Sequence, residues 1–141
     1  MPYIDDIKYL KIMVPTSGVV PAEQNARYIL KMARNLRAEV LVVHVRDQGE
    51  DREGDLALDV FDKVSKEIGV RVELKPAIGE ISRTLIEIAK IEEVDLIVMG
   101  ATKGRNVATW IIDKIKKETD IPVVIIPWRY EEGLHREIIS A

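Results

Sequence analysis

Two glycines in the second half of the chain bracket a short segment that could bind a phosphate. Gly100 and Gly104 flank Lys103, and Arg105 follows directly before a helix-length apolar pattern. The backbone N–H groups and positive dipole end of a helix N-terminus, together with two nearby cations, favour a bound phosphate. Glycines in such a loop can also serve only to allow unusual backbone angles. The loop by itself therefore leaves a phosphate site and a plain turn equally open.

The elements that must position this loop alternate regularly along the chain. Apolar, β-branched runs predict five strands, and helical periodicity predicts four helices between them. The strands are Tyr9 to Pro15, Glu39 to Val45, Val70 to Lys75, Asp95 to Met99 and Val123 to Ile126. The helices are Ala22 to Arg37, Leu56 to Ile68, Glu80 to Ile91, and a segment with apolar residues at Val107, Ala108, Ile111, Ile112 and Ile115.

This alternation predicts one α/β domain over residues 1–141, with a short leader (1–8) and a polar tail (128–141). Each right-handed crossover needs a helix, so the sheet should be parallel and covered on both faces. The third strand alternates in polarity and belongs at an edge, whereas the first and fourth strands are nearly all apolar and belong in the middle. The predicted strand order is 3-2-1-4-5, with a ligand site where the first and fourth strands end.

Several local features complete the expected architecture. The charged segment Arg46 to Asp55 predicts an exposed loop, and Pro76 to Gly79 predicts a turn. Gly69 should terminate the second helix in a left-handed conformation. The expected buried residues are Ala26, Ile29, Leu30, Ala33 and Leu36 in the first helix, Leu56, Val60, Phe61, Val64 and Ile68 in the second, and Ile81, Leu85, Ile88 and Ala89 in the third.

The composition narrows the classes of function. A formal net charge of -3 with scattered Lys and Arg does not predict a nucleic-acid surface. The chain has no cysteine, which excludes disulfides, thiolate metal sites and a cysteine nucleophile. No apolar run reaches the roughly 20 residues needed to cross a bilayer, and the first residues do not form a signal peptide. These observations predict a cytoplasmic protein with no membrane contact.

The two histidines do not indicate catalysis or metal binding. His44 lies within a predicted buried strand and His135 lies in the tail, so their spacing is not that of metal ligands. We therefore expect His44 to be a core residue whose polar atoms are satisfied. The sequence offers no nucleophile elbow, Walker loop or dinucleotide fingerprint. No residue is predicted to be catalytic, and an enzymatic role is not favoured.

Four segments together resemble the universal stress protein family. KIMVPTSG is similar to its first strand and turn, VVHV to its second strand, DLIVMG and the following loop to its nucleotide loop, and IPVVIIP to its last strand. The resemblance spans about Leu10 to Pro127. It implies a Rossmann-like, adenine nucleotide alpha hydrolase-like three-layer sandwich. It also implies a homodimer formed through the last strand, Val123, Val124, Ile125 and Ile126, with Trp128 and Tyr130 nearby.

The resemblance fails at two elements of the family's ATP pocket. ATP-binding members carry the signature G-x2-G-x9-G-[ST], whereas here three residues separate Gly100 from Gly104 and the next glycine is Gly133. Trp110 and Ile111 fall where the Gly-Ser step is expected, and Trp110 would fill space that triphosphate oxygens need. In addition, Ser17 stands where ATP-binding relatives usually have an aspartate.

Two functions follow from this comparison. The first is a nonenzymatic stress-response module that acts as a homodimer through contacts with protein partners, requires no cofactor and has lost typical ATP binding. The alternative is a switch that binds ATP, AMP or a related nucleotide. The resemblance implies that such a pocket is formed by Pro15, Thr16, Ser17, Val45, Gly100, Lys103, Gly104 and Arg105.

Overall fold

Five parallel strands form a single sheet in the order β3-β2-β1-β4-β5. The computed structural model describes residues 9–100 and 109–126. The strands are β1 (Lys11–Pro15), β2 (Glu39–Arg46), β3 (Val72–Ile78), β4 (Leu96–Gly100) and β5 (Val123–Ile126). All four pairings between neighbouring strands are parallel. The predicted α/β class and the 3-2-1-4-5 order are confirmed.

In the described residues, four helices cover the two faces of this sheet. They are α1 (Val19–Leu36), α2 (Arg52–Ile68), α3 (Ile81–Ile91) and α4 (Thr109–Glu118). Because side chains alternate along a strand, β1 sends Ile12 and Val14 into the core under α1 and α2, and Met13 into the core under α3 and α4. The result is a three-layer arrangement with a separate apolar core on each side of the sheet.

Helix α2 begins earlier than its sequence predicts. Arg46 to Asp55 was expected to be a loop, but Arg52 is already helical and Gly54 is buried. The Asp51 side chain accepts a hydrogen bond from the Gly54 amide at 3.0 Å and caps the helix. The dense charge of this segment had indicated a loop. Acidic residues are, however, favourable in the first turn of a helix, so the same composition is compatible with a helix start. The expected end is confirmed, since Gly69 adopts a left-handed φ of 82°.

The third strand also differs from its predicted bounds. It extends through Pro76 to Ile78, where a turn had been expected, so that prediction is wrong. Pro76 pairs with His44 in the parallel register of β2 and β3. A proline lacks an N–H but is tolerated on an edge strand, where one side of the backbone has no partner strand. Its presence agrees with the predicted edge position of β3, which the strand order confirms.

The apolar patterns locate the cores but fail near helix ends. Ala26, Ile29, Leu30 and Ala33 are buried in α1, as expected, whereas Leu36, its last residue, is 50% exposed. Leu56 in the first turns of α2 and Ile81 at the start of α3 are also exposed, contrary to prediction. In α4, Ile111, Ile112 and Ile115 are buried as expected, and Val107 and Ala108 lie outside the described residues.

Within residues 9–100 and 109–126, no helix is both long enough and apolar enough to span a membrane.

Candidate functional site

The ends of β1 and β4 lie side by side at the point where the order of the strands in the sheet reverses. These strands pair directly, with Ile12 opposite Leu96 and Met13 opposite Ile97. After β1 the chain enters α1 on one face of the sheet, whereas the helix following β4 packs on the other face. Such a divergence opens a crevice at the carboxyl edge of a parallel sheet. Residues 15–17 and Gly100 therefore lie at the same edge, as predicted.

The turn after β1 is fixed through its backbone and ends in an exposed serine. Pro15 pairs with Val43 of β2, and the Thr16 amide donates to the Val43 carbonyl at 2.9 Å. Pro15 and Thr16 are half-buried, whereas Ser17 is exposed. The Ser17 hydroxyl can donate and accept hydrogen bonds but brings no charge to the crevice.

A carboxylate already occupies the N-terminus of α1. Gly18 is its N-cap residue and has no side chain to offer, but Glu53 Oε2 lies 3.3 Å from the Val19 amide nitrogen. Negative charge is stabilised at this end of a helix dipole. Because Glu53 fills that role, a phosphate placed there would meet a like charge. A phosphate is therefore disfavoured at this end of α1.

Gly100 is required by close packing. A β-carbon on Gly100 would overlap with the side-chain amide of Asn25, which extends from α1 towards the end of β4. Asn25 is buried, and its Nδ2 donates to the Pro21 carbonyl at 3.0 Å. The glycine thus allows a polar side chain from one face of the sheet to approach the crevice. Asn25 was not predicted from the sequence, although an asparagine within the apolar stripe of a helix could have indicated a buried polar contact.

His44 is a buried, fully bonded side chain, as predicted. It is 4% exposed; Nδ1 lies 2.8 Å from the Thr16 carbonyl oxygen and Nε2 lies 2.6 Å from Asp51 Oδ2. Hydrogen bonds from the Gly54 amide and from His44 hold the pKa of the Asp51 carboxyl below its ordinary value. Asp51 therefore links the start of α2 to the β1 turn through the His44 ring. It was missed because it had been assigned to an exposed loop.

Of the remaining predicted site residues, one belongs to the apolar core and three lie outside the described residues. Val45 is buried, pairs with Ala77 of β3 and belongs to the core beneath α3 and α4. Strand β2 therefore continues past Val43, the partner of Pro15, and forms a wall beside the β1 turn. Lys103, Gly104 and Arg105 lie outside the described residues. Trp110, in the first described turn of α4, is 54% exposed.

The described ranges, 9–100 and 109–126, contain no group of three His, Cys, Asp or Glu side chains arranged to hold a metal ion.

Comparison with known proteins agrees with this geometry. A universal stress protein of Methanocaldococcus jannaschii is 25% identical over 139 residues, covering 84% of this chain and 82% of that protein. A universal stress protein solved in complex with cAMP has a TM-score of 0.68 at 17% identity, covering 87% of this chain and all of that one. The Archaeoglobus fulgidus protein in complex with dAMP has a TM-score of 0.66 at 20% identity, covering 85% and 99%.

The two solved structures share the fold of this chain. Their sequence identities to it are too low to show that it binds the same ligands. Family membership rests instead on a match along the sequence. The sequence profile of the Universal stress protein family matches residues 8–127, which include all five described strands and the turn after β1. Sheet order, crevice and sequence match agree, and the chain belongs to the universal stress protein family.

Proposed function

We propose that this protein binds an adenine nucleotide, with AMP preferred over ATP, in the crevice between the ends of β1 and β4. The observation that carries the proposal is the junction of the Pro15–Ser17 turn with Gly100 at the topological switch point. Two proteins of the same fold have been solved with adenine nucleotides, cAMP and dAMP. Their ligands favour the nucleotide switch over a module that binds none.

In this proposal the base lies against Pro15, Thr16 and the backbone at Val45, and Ser17 faces the sugar. Lys103, Gly104 and Arg105 then receive the phosphate at the start of the helix that follows β4. Glu53 at the N-terminus of α1 supports this direction, because its charge disfavours a phosphate on that side. The preference for a monophosphate follows from the incomplete signature, which lacks the glycine-serine step for further phosphate groups.

The protein acts in this proposal by binding in the cytoplasm, without catalysis, and as a homodimer. Val124 and Ile125 on β5 are 38% and 43% exposed. Strand β5 lies at the end of the described sheet order, and an apolar edge strand favours pairing with a second copy. Trp128 and Tyr130, which were expected beside this interface, lie outside the described residues.

Calorimetric titration with AMP and ATP, together with native mass spectrometry of the purified protein, tests the nucleotide proposal. We expect AMP to bind, and the double variant Lys103→Gln, Arg105→Gln to lower its affinity by about tenfold or more, since charged hydrogen bonds to phosphate are lost. The matched control is Lys31→Gln, Lys63→Gln, which removes the same charge from exposed positions on α1 and α2.

Equal AMP affinity in the two double variants would refute the assignment of the phosphate to the β4 loop. Failure of the wild-type protein to bind any adenine nucleotide would refute the proposed function. A homodimeric stress-response module that binds no nucleotide would then be the better candidate function. The missing second half of the glycine signature is the observation that favours that candidate.

A further inference from the structure

The Thr16 backbone is tied to β2 on both sides of its α-carbon. Its amide donates to the Val43 carbonyl at 2.9 Å, and its carbonyl oxygen lies 2.8 Å from Nδ1 of His44. The first contact continues the parallel strand pairing, whereas the second depends on a side chain. Without His44, the half-buried Thr16 carbonyl would lose its described partner, and the peptide plane that leads to Ser17 could rotate.

The His44 ring is itself held in a single position. Asp51 Oδ2 lies 2.6 Å from Nε2, and Asp51 Oδ1 accepts from the Gly54 amide at 3.0 Å. The first turn of α2 packs on the ring so closely that a β-carbon on Gly54 would overlap with Nε2. The ring is therefore clamped between the start of α2 and the turn after β1.

Both atoms that face the ring nitrogens of His44 are hydrogen-bond acceptors. A carbonyl oxygen and a carboxylate oxygen both accept hydrogen bonds, so the two contacts are satisfied together only when each ring nitrogen carries a proton. Arg46, at the end of β2, also acts on the Asp51 carboxylate, whereas Glu53 in the same turn of α2 is directed to the Val19 amide.

We propose that His44, oriented by Asp51, is a positioning residue for the nucleotide site: it fixes the Thr16 carbonyl and thereby the direction of the Ser17 backbone and hydroxyl. This role rests on the proposed function, because Thr16 and Ser17 are assigned to the nucleotide there. His44 need not touch the ligand. It determines whether the turn after β1 has its binding geometry before the ligand arrives, which reduces the ordering cost of binding.

Two substitutions separate positioning from general stabilisation. Asparagine can place its amide nitrogen near the position of Nδ1, and glutamine near that of Nε2. His44→Asn should keep the donor to Thr16 and lose the contact with Asp51, whereas His44→Gln should do the opposite. Each variant loses one hydrogen bond in the same buried place, so a merely structural role predicts similar changes in both.

The experiment measures two quantities in wild type and both variants, after thermal unfolding has shown that each variant is folded. The first is AMP affinity by calorimetry, expected to fall about fivefold or more in His44→Gln and to change less than about twofold in His44→Asn. The second is hydrogen exchange of the Thr16 amide in ligand-free protein. This exchange should accelerate in His44→Gln and stay near the wild-type rate in His44→Asn.

Equal losses of affinity in the two variants, or Thr16 exchange that does not differ between them, would overturn the positioning role. If wild type binds no AMP, the proposed function fails, and the exchange rates alone decide whether His44 positions the turn. If His44→Gln does not fold, His44→Leu, which has no donor for the Thr16 carbonyl, replaces it; if His44→Asn does not fold, Asp51→Asn replaces it. Its side-chain amide can donate to Nε2, which leaves Nδ1–H for Thr16, so exchange at Thr16 should stay near the wild-type rate.

Discussion

Gly54 lies directly against the imidazole of His44, and a methyl group at position 54 would overlap with the ring. This contact joins the first turn of α2 to a side chain of β2. It explains why a helix that begins at Arg52 has a glycine in its first turn, where most residues would be tolerated. The ring in turn contacts the Thr16 carbonyl, so the packing at Gly54 reaches the edge of the candidate site.

Gly54→Ala should therefore destabilise the protein. Alanine is the better helix former by about 1 kcal/mol, so a net loss can arise only from the overlap with His44. We expect the free energy of unfolding in urea to fall by about 1–3 kcal/mol. Asp59→Ala is the control, because it places an alanine at an exposed position of the same helix. A Gly54→Ala variant as stable as wild type would contradict the proposed packing.

Asp51→Asn should reduce the loss of stability in acid. The pKa of Asp51 is lowered in the folded protein from its ordinary value of 3.8, mainly by the Gly54 amide and then by His44. The resulting stabilisation is complete above the unfolded value and is lost as pH falls through the lower folded value. Asparagine retains the capping oxygen but has no carboxyl to protonate. Urea unfolding between about pH 5 and pH 2 should show a shallower decline in the variant.

The charge-matched comparison for this experiment is Asp59→Asn, an exposed position on the same helix. A decline in stability for Asp51→Asn as steep as that of wild type would show that the His44 and Gly54 contacts do not favour the carboxylate.

Ile115→Ala tests whether α4 packs on the sheet as described. Ile115 is fully buried in the core beneath α3 and α4. Its truncation should lower the free energy of unfolding by about 2–4 kcal/mol, through lost burial and the cavity left behind. Ile91→Ala makes the same change at a residue that is 79% exposed, and should cost less than about 0.5 kcal/mol. Similar costs at the two positions, measured by urea unfolding, would contradict the placement of α4.

Val124→Lys tests the proposed homodimer. A lysine on each of two paired β5 strands would bring like charges into an apolar interface, so we expect a monomer by light scattering. Ile91→Lys places the same charge at an exposed residue at the end of α3 and should leave the dimer intact. A dimer that persists in the Val124→Lys variant would assign the interface to another surface.

The polarity of the strands was sufficient to predict the sheet. Central parallel strands are buried on both faces, so β1 and β4 are nearly continuous apolar runs. The strand that alternates lies at an edge, as β3 does. Because this pattern is local, it is legible in the sequence, and it also predicted the edge at which β1 and β4 end together. The positions of Lys103 and Arg105 within the site remain predictions.

The long-range polar contacts were not predictable in the same way. Thr16 and His44 are 28 positions apart, and Gly100 and Asn25 come from different halves of the chain. Periodicity shows which side of an element is buried but carries no information about the partner across the core. The acidic segment around Asp51 was read as a loop because charge suggests solvent, whereas its carboxylate folds back onto a histidine.

The sequence by itself determined the α/β class, the strand order, the edge of the sheet that carries the candidate site, and the family. These properties depend on local hydrophobic pattern and on motifs within single elements. Only the tertiary structure decided why Gly54 and Gly100 must be glycine, which carboxylate occupies the N-terminus of α1, and how His44 holds the turn at Thr16. Each of these depends on a side chain reaching a backbone group from a different element, and such distances exist only once the helices have packed on the sheet.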